Sequence, residues 1–236
     1  MAQSPQANPG MSLGALAKAD ELRNRLLFTL GALIVYRLGT FIPLPGIDPV
    51  ALSDVFGQQS SGILGMFDMF SGGALGRMTI FALNIMPYIT ASIIMQLMTA
   101  IVPSLETMKK DGEAGRKQIN QYTRYLTVLL ATFQGFGIAV ALESAGNIVA
   151  DPGMFFRLTT VVTLVGGTLF LMWLGEQITS RGIGNGISLI IFSGIVAEVP
   201  SALIGTLELG RTGALSAGLI VGVFVMAIAV IAFIVF

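Results

Sequence analysis

Six apolar runs, at about 26–42, 79–102, 125–142, 155–174, 187–204 and 214–236, each approach the ~20 residues that a membrane helix needs. They constrain the fold more than any other feature. In lipid, every backbone N–H and C=O must be satisfied inside its own segment or by surrounding protein. Apolar residues make up 54% of the chain and charged residues 11%, where a soluble domain carries about 25% charge. The expected fold is an all-α, polytopic membrane helix bundle of six spans joined by short polar loops. Asp20 to Arg25 extend the first span into the interface, and Pro43 and Pro45 end it. Residues 1–14 read as a disordered polar tail, and no cleavable signal follows the first apolar run. The last run reaches Phe236 without a basic anchor, so the chain is expected to be a piece of a longer protein.

Charge sets the orientation. Lys18, Arg23 and Arg25 precede the first span, Lys109, Lys110, Arg116, Lys117 and Arg124 lie between the second and third, and Arg181 lies between the fourth and fifth. These nine of the thirteen basic residues share one side if the spans alternate. The opposite loops hold Arg211 alone against Asp48, Asp54, Glu143, Asp151 and Glu208. The positive-inside rule therefore puts the N-terminus in the cytosol. Net charge is zero, which gives no sign of nucleic-acid binding. With no cysteine and no histidine, disulfides, thiolate chemistry and the usual zinc sites are excluded. No cofactor or catalytic pair is expected.

One stretch resists placement as either span or loop. Gly62 to Arg77 is glycine-dotted and half apolar, and is too short to cross the bilayer. Gly62, Gly65, Gly72 and Gly73 weaken a helix, while Met66, Phe67 and Phe70 are bulky. It fits a weakly held helix packed in a cavity, or an interfacial helix on the outer leaflet. Asp68 and Arg77 favour watery surroundings. Immediately after it, Pro87 sits inside the second span, where it either loosens the helix or only kinks it.

Ile85 and Ile89 share one helical face, and Thr90, Ser92 and Gln96 are interhelical glue or a water-exposed seam. Arg37 lies close enough to the outer end to snorkel. Apart from Arg37, no acid or base is placed at a midplane, which counts against a proton- or ion-coupled transporter. Residues 103–122 read as a charged cytosolic loop, either a solvated surface or a docking site for a partner. Gly182-Ile-Gly184-Asn-Gly186 is a tight turn with Asn185 capping the next helix, since no strand precedes it as a dinucleotide fingerprint requires.

Longer motifs carry a family resemblance. Arg37-Leu-Gly-Thr-Phe-Ile-Pro-Leu-Pro-Gly-Ile-Asp48, Met69-Phe-Ser-Gly-Gly-Ala-Leu75 and Phe81-Ala-Leu-Asn-Ile-Met-Pro-Tyr-Ile89 resemble bacterial SecY. Gln121-Tyr-Thr-Arg-Tyr125, Trp173-Leu-Gly-Glu-Gln-Ile-Thr179 and Arg181-Gly-Ile-Gly-Asn-Gly-Ile-Ser188 continue the match in family order. The resemblance implies the channel subunit of the protein translocon, not an enzyme, in the bacterial inner membrane. The family fold is a clamshell of two pseudo-symmetric halves. Residues 15–205 would be its first half and residues 214–236 the start of its second.

Several site roles follow from the resemblance. Residues 62–76 become a plug, Asp68 included, and Ile85, Ile89 and Ile191 match pore-ring positions. Thr90 and Gln96 lie by the lateral gate, Asn185 in the cytosolic funnel, and Lys109, Lys110, Arg116 and Lys117 on a partner-facing loop. The implied partners are SecE, SecG, the SecA motor, the ribosome, signal sequences with nascent preproteins, and the lipid bilayer. Two other readings stay open: half of a secondary transporter with a broken helix, and a non-conducting structural subunit.

Overall fold

The computed structural model describes residues 20–48, 51–52, 68, 71–144, 148–212 and 216–235. The described residues form seven helices: α1 Asp20–Gly39, α2 Met86–Ile101, α3 Pro103–Lys110, α4 Glu113–Ser144, α5 Met154–Arg181, α6 Gly186–Arg211 and α7 Ala217–Val235. The polar tail at 1–14 lies outside them.

Four of these helices, α4, α5, α6 and α7, are long and apolar enough to cross a membrane, and the bent pair α2–α3 would make a fifth. Although α1 occupies the first expected span, it fails this measure. Any window of 18 residues within it contains Arg23, Arg25 and Arg37.

The chain divides into two compact units after Gly194. The first is built around α5, which packs against α4, α1 and α2. Lipid supplies no hydrophobic drive between helices, so close approach of small residues holds them. On α4 the buried stripe Thr123, Thr127, Ala131, Gly135 and Ala139 recurs every four residues and brings its backbone against α5 at Val161 and Leu164. On α5, Gly167 leaves room for the Ile80 carbonyl, and Gly175 faces Ile187 at the start of α6. The second unit contains the end of α6 and α7. There Gly210 makes room for the half-buried Ile220, and the other described side chains of α7 are exposed and apolar.

Two backbone clamps hold the segment after α1. Pro43 bridges Thr79, with Leu44 N–H donating to Met78 O at 2.9 Å and Ile80 N–H to Ile42 O at 3.0 Å. Ile47 bridges Val149, with Asp48 N–H donating to Ile148 O at 2.8 Å. Between them Leu44 enters a core with Leu75, Met78, Leu83, Leu142 and Phe156.

The structure corrects two sequence expectations. Residues 103–122 are not a loop. Helix α3 and the first turns of α4 fill that stretch, separated by a turn at Asp111 and Gly112, where Gly112 has φ +74°. The apolar signal fails there because these helices are polar and carry i,i+4 pairs such as Glu106–Lys110 at 2.7 Å. Pro87 does not interrupt a helix either. It sits in the first turn of α2, where a missing N–H costs nothing. The expected second span therefore becomes a run of turns through Ile85, a 16-residue helix, and a 99° bend at Val102. Val102 is extended ahead of Pro103, as a residue before proline prefers.

Candidate functional site

The candidate site is the non-helical run Gly72–Ile85, together with Ser71, the helical residue just before it. Ser71, Ala74, Leu75, Met78, Thr79 and Phe81 to Ile85 are buried in protein, the condition under which irregular backbone is tolerated in a membrane protein. Of the expected plug residues, Gly62, Gly65, Met66, Phe67 and Phe70 lie outside the described residues, whereas Asp68, Gly72 and Gly73 are described.

Asp68 organises this run. Its Oδ1 accepts from Gly76 N–H at 2.7 Å and from the Ser71 hydroxyl at 3.1 Å, and its carbonyl accepts from Gly73 N–H at 3.0 Å. Ser71 Oγ in turn accepts from Leu75 N–H at 3.0 Å. Gly72 and Gly73 take φ +65° and +78°, the left-handed region that glycine enters without penalty. Arg77, which is exposed, also binds backbone: its Nε donates to Gly73 O and its Nη2 to Gly72 O, each at 2.9 Å.

Helix α1 holds the same corner from the other side. Tyr36 hydroxyl donates to Ser71 O at 3.4 Å, and Arg37 Nη1 donates to Gly72 O at 3.0 Å. The snorkelling expectation for Arg37 therefore gives way, because its guanidinium turns inward to a carbonyl. Both Arg37 and Arg77 lie over the Phe41 ring, at 5.0 and 4.7 Å from its centroid. A Cβ on Gly72 would stand 3.1 Å from Gly194 Cα, so two glycine backbones meet where the corner faces α6.

Below the corner, Ile85 (1% exposed) packs with Tyr36, Phe81, Leu171, Ile178 and Ile190, and Ile89 packs against that cluster. Ile191 is half-buried and outside it, while its neighbour Ile190 is fully buried inside. The structure thus brings Ile85 and Ile89 together and presents Ile190 beside them. An aromatic row extends the cluster, with Tyr36 stacked on Phe81 at 6.2 Å and Phe81 on Phe170 at 5.8 Å.

The remaining candidates separate. Thr90 closes its hydroxyl onto Met86 O at 3.0 Å. Gln96 is exposed and lines a cleft of about 290 Å³ with Tyr88, Ser92, Lys109, Arg116 and Asn120. Lys110 is spent on Glu106, and Lys117 is exposed. Asn185 caps α6 as expected, its Oδ1 accepting from Ile187 N–H at 3.0 Å and Ser188 N–H at 3.3 Å.

Sequence reasoning missed two threonines that lock this turn. Thr29 Oγ1 accepts from Ile183 N–H at 3.1 Å, and Thr179 Oγ1 accepts from Gly186 N–H at 2.9 Å. It also passed over Glu198, a half-buried carboxylate near the middle of the 26-residue α6. Among the described residues no group of three or more His, Cys, Asp or Glu is positioned to hold a metal.

The sequence profile of the SecY family matches residues 79–236. The chain belongs to the SecY family. The protein translocase subunit SecY of Rickettsia conorii is 59% identical over 221 residues, covering 92% of this chain and 51% of the relative. That of Escherichia coli K12 is 54% identical over 239 residues, covering all of this chain and 53% of the relative. The chain thus spans about half the length of these SecY proteins. Among solved structures, Sec61 in the canine ribosome-channel complex from the endoplasmic reticulum aligns with TM-score 0.56 at 20% identity, over 80% of this chain and 38% of that one. A structure described as the SecY plug domain stabilizing the closed state of the translocation channel aligns with TM-score 0.52 at 20% identity, over 80% of this chain and 37% of that one. These two structural likenesses establish the fold.

Proposed function

We propose that this chain forms the first half of a protein-conducting channel that exports preproteins and releases membrane segments sideways into the bilayer. One observation carries the reading: a largely buried, non-helical run, Gly72–Ile85, leads directly into an apolar helix in a member of the SecY family. In this reading residues 62–76 are a stopper on the outer side, and Ile85, Ile89 and Ile191 contribute to an aliphatic ring beneath it. Aliphatic side chains offer an ion nothing to replace its hydration, yet they yield around a passing chain.

Thr90 and Gln96 border the lateral exit, Asn185 the cytosolic mouth, and Lys109, Lys110, Arg116 and Lys117 a face for cytosolic partners. The channel works with a second half, with SecE and SecG, and with SecA or a ribosome as the energy source. It lies in the bacterial inner membrane with its N-terminus in the cytosol. A signal sequence opens it by binding the open state more tightly than the closed one.

The test is a planar-bilayer recording of the full-length protein with and without residues 62–76. Deletion is expected to raise resting ion conductance. Conductance equal to the parent's would overturn the stopper.

A further inference from the structure

We propose that Arg37 and Arg77 act as a paired latch that positions the Gly72 corner and so sets how tightly the resting channel is closed. The inference rests on the stopper reading above and adds which residues hold the stopper's end. Two guanidiniums, one from α1 and one from the run itself, donate to a single carbonyl oxygen, Gly72 O, at 3.0 and 2.9 Å. The donor nitrogens are therefore within about 6 Å of each other. Both groups also stack over one ring, Phe41, which follows α1 directly. Like charges this close repel, and one shared oxygen with one shared aromatic ring offsets that repulsion.

Arginine suits the task because its delocalised, planar charge can donate and stack at once, which a lysine ammonium does less well. Tyr36 reaches the adjacent Ser71 carbonyl, and Gly194 backs the corner without a side chain between them. Arg37 ties the corner to α1, and Arg77 ties it to the segment that follows, so full release requires both bonds to break.

Replacing one arginine removes a bond but also relieves repulsion, so the decisive variant is the double replacement Arg37→Gln with Arg77→Gln in the full-length protein with its partner subunits. Resting ion leak is expected to rise about tenfold or more, the weight of one charge-assisted hydrogen bond. Arg37→Lys with Arg77→Lys should restore part of the closure. In the background lacking residues 62–76, which has no Gly72, the double replacement should add nothing.

A second readout uses Leu75→Cys in the full-length protein with any cysteine outside this chain replaced, since this chain has none and Leu75 is buried. Its labelling by a polar maleimide added from the outer side should quicken to a similar degree when both arginines are replaced, even if protein yield falls. If deletion of 62–76 leaks while the double variant neither leaks nor labels faster, the latch is wrong and the stopper stands. An equal rise in the deleted background would make the arginines merely structural and overturn the latch. If the deletion itself does not leak, the stopper reading fails and takes the latch with it.

Discussion

Arg124 on α4 and Glu176 on α5 lie 52 residues apart in sequence and meet through two bonds, Nε to Oε1 at 3.1 Å and Nη2 to Oε2 at 2.6 Å. At the other end of the same antiparallel pair, Arg157 Nε donates to Glu143 Oε2 at 2.7 Å, and Glu143 also accepts Gly153 N–H at 2.9 Å. A bidentate pair at one end and an arginine on a single carboxylate oxygen at the other thus fix the register of α4 against α5.

The Arg124–Glu176 pair is half exposed, so Arg124→Ala should cost only about 0.5–1 kcal/mol. The Glu143 side chain is 9% exposed, so stranding it with Arg157→Ala should lower the thermal midpoint in detergent further than Arg124→Ala does. The exchanged pair Arg124→Glu with Glu176→Arg should recover most of the loss. A double variant less stable than either single one would show that the pair does not set register.

Neighbouring glycines on α5 should respond oppositely to alanine. A Cβ on Gly166 meets nothing within 4 Å, so Gly166→Ala should be neutral or should stabilise by up to about 1 kcal/mol through helix propensity. A Cβ on Gly167 runs into the Ile80 carbonyl, so Gly167→Ala should cost about 1–3 kcal/mol of overpacking. Thermal unfolding of the two variants checks this. Equal midpoints would mean that the run before α2 does not press on α5.

The Asn185 side chain is the cap of α6, and Asn185→Ala should cost about 1 kcal/mol, with Asn185→Asp or Asn185→Ser keeping most of it. Unfolding midpoints and translocation assays separate the cap from the funnel. If Asn185→Ser restores stability but not transport, the side chain does more than cap.

The two ring candidates on α2's leading edge differ in burial, and their polar variants should differ too. Ile85 is fully buried, so Ile85→Asn should lose both packing and ion tightness. Ile89 is half-buried, so Ile89→Asn should raise leak with a smaller loss of thermal stability. Single-channel conductance and unfolding are measured on the same preparations. An unchanged leak in both variants would remove these two residues from the ring.

Much of the molecule was already present in the local pattern of residues. Helices α4 to α7 follow from apolar length, the Asn185 cap from its place after two glycines, and family membership from motifs in order. What the pattern could not give was contact between distant segments. Pro87 at the head of a helix and Pro87 within a helix look alike until the preceding turns are known. The polar helices α3 and early α4 carry no apolar signal, so they read as loop.

By itself, then, the sequence determined that this chain lives in lipid, because 20-residue apolar runs have few other homes. It also set apart the stretch at 62–77 as neither span nor loop. Tertiary structure alone decided what that stretch leans on. Arg37 comes from α1, Phe41 from the segment after it and Gly194 from α6, and only folding brings them to Gly72. A charge inside an apolar run says that it must find a partner. Which partner it finds depends on the three-dimensional path of the backbone, and here that partner is a single carbonyl shared with Arg77.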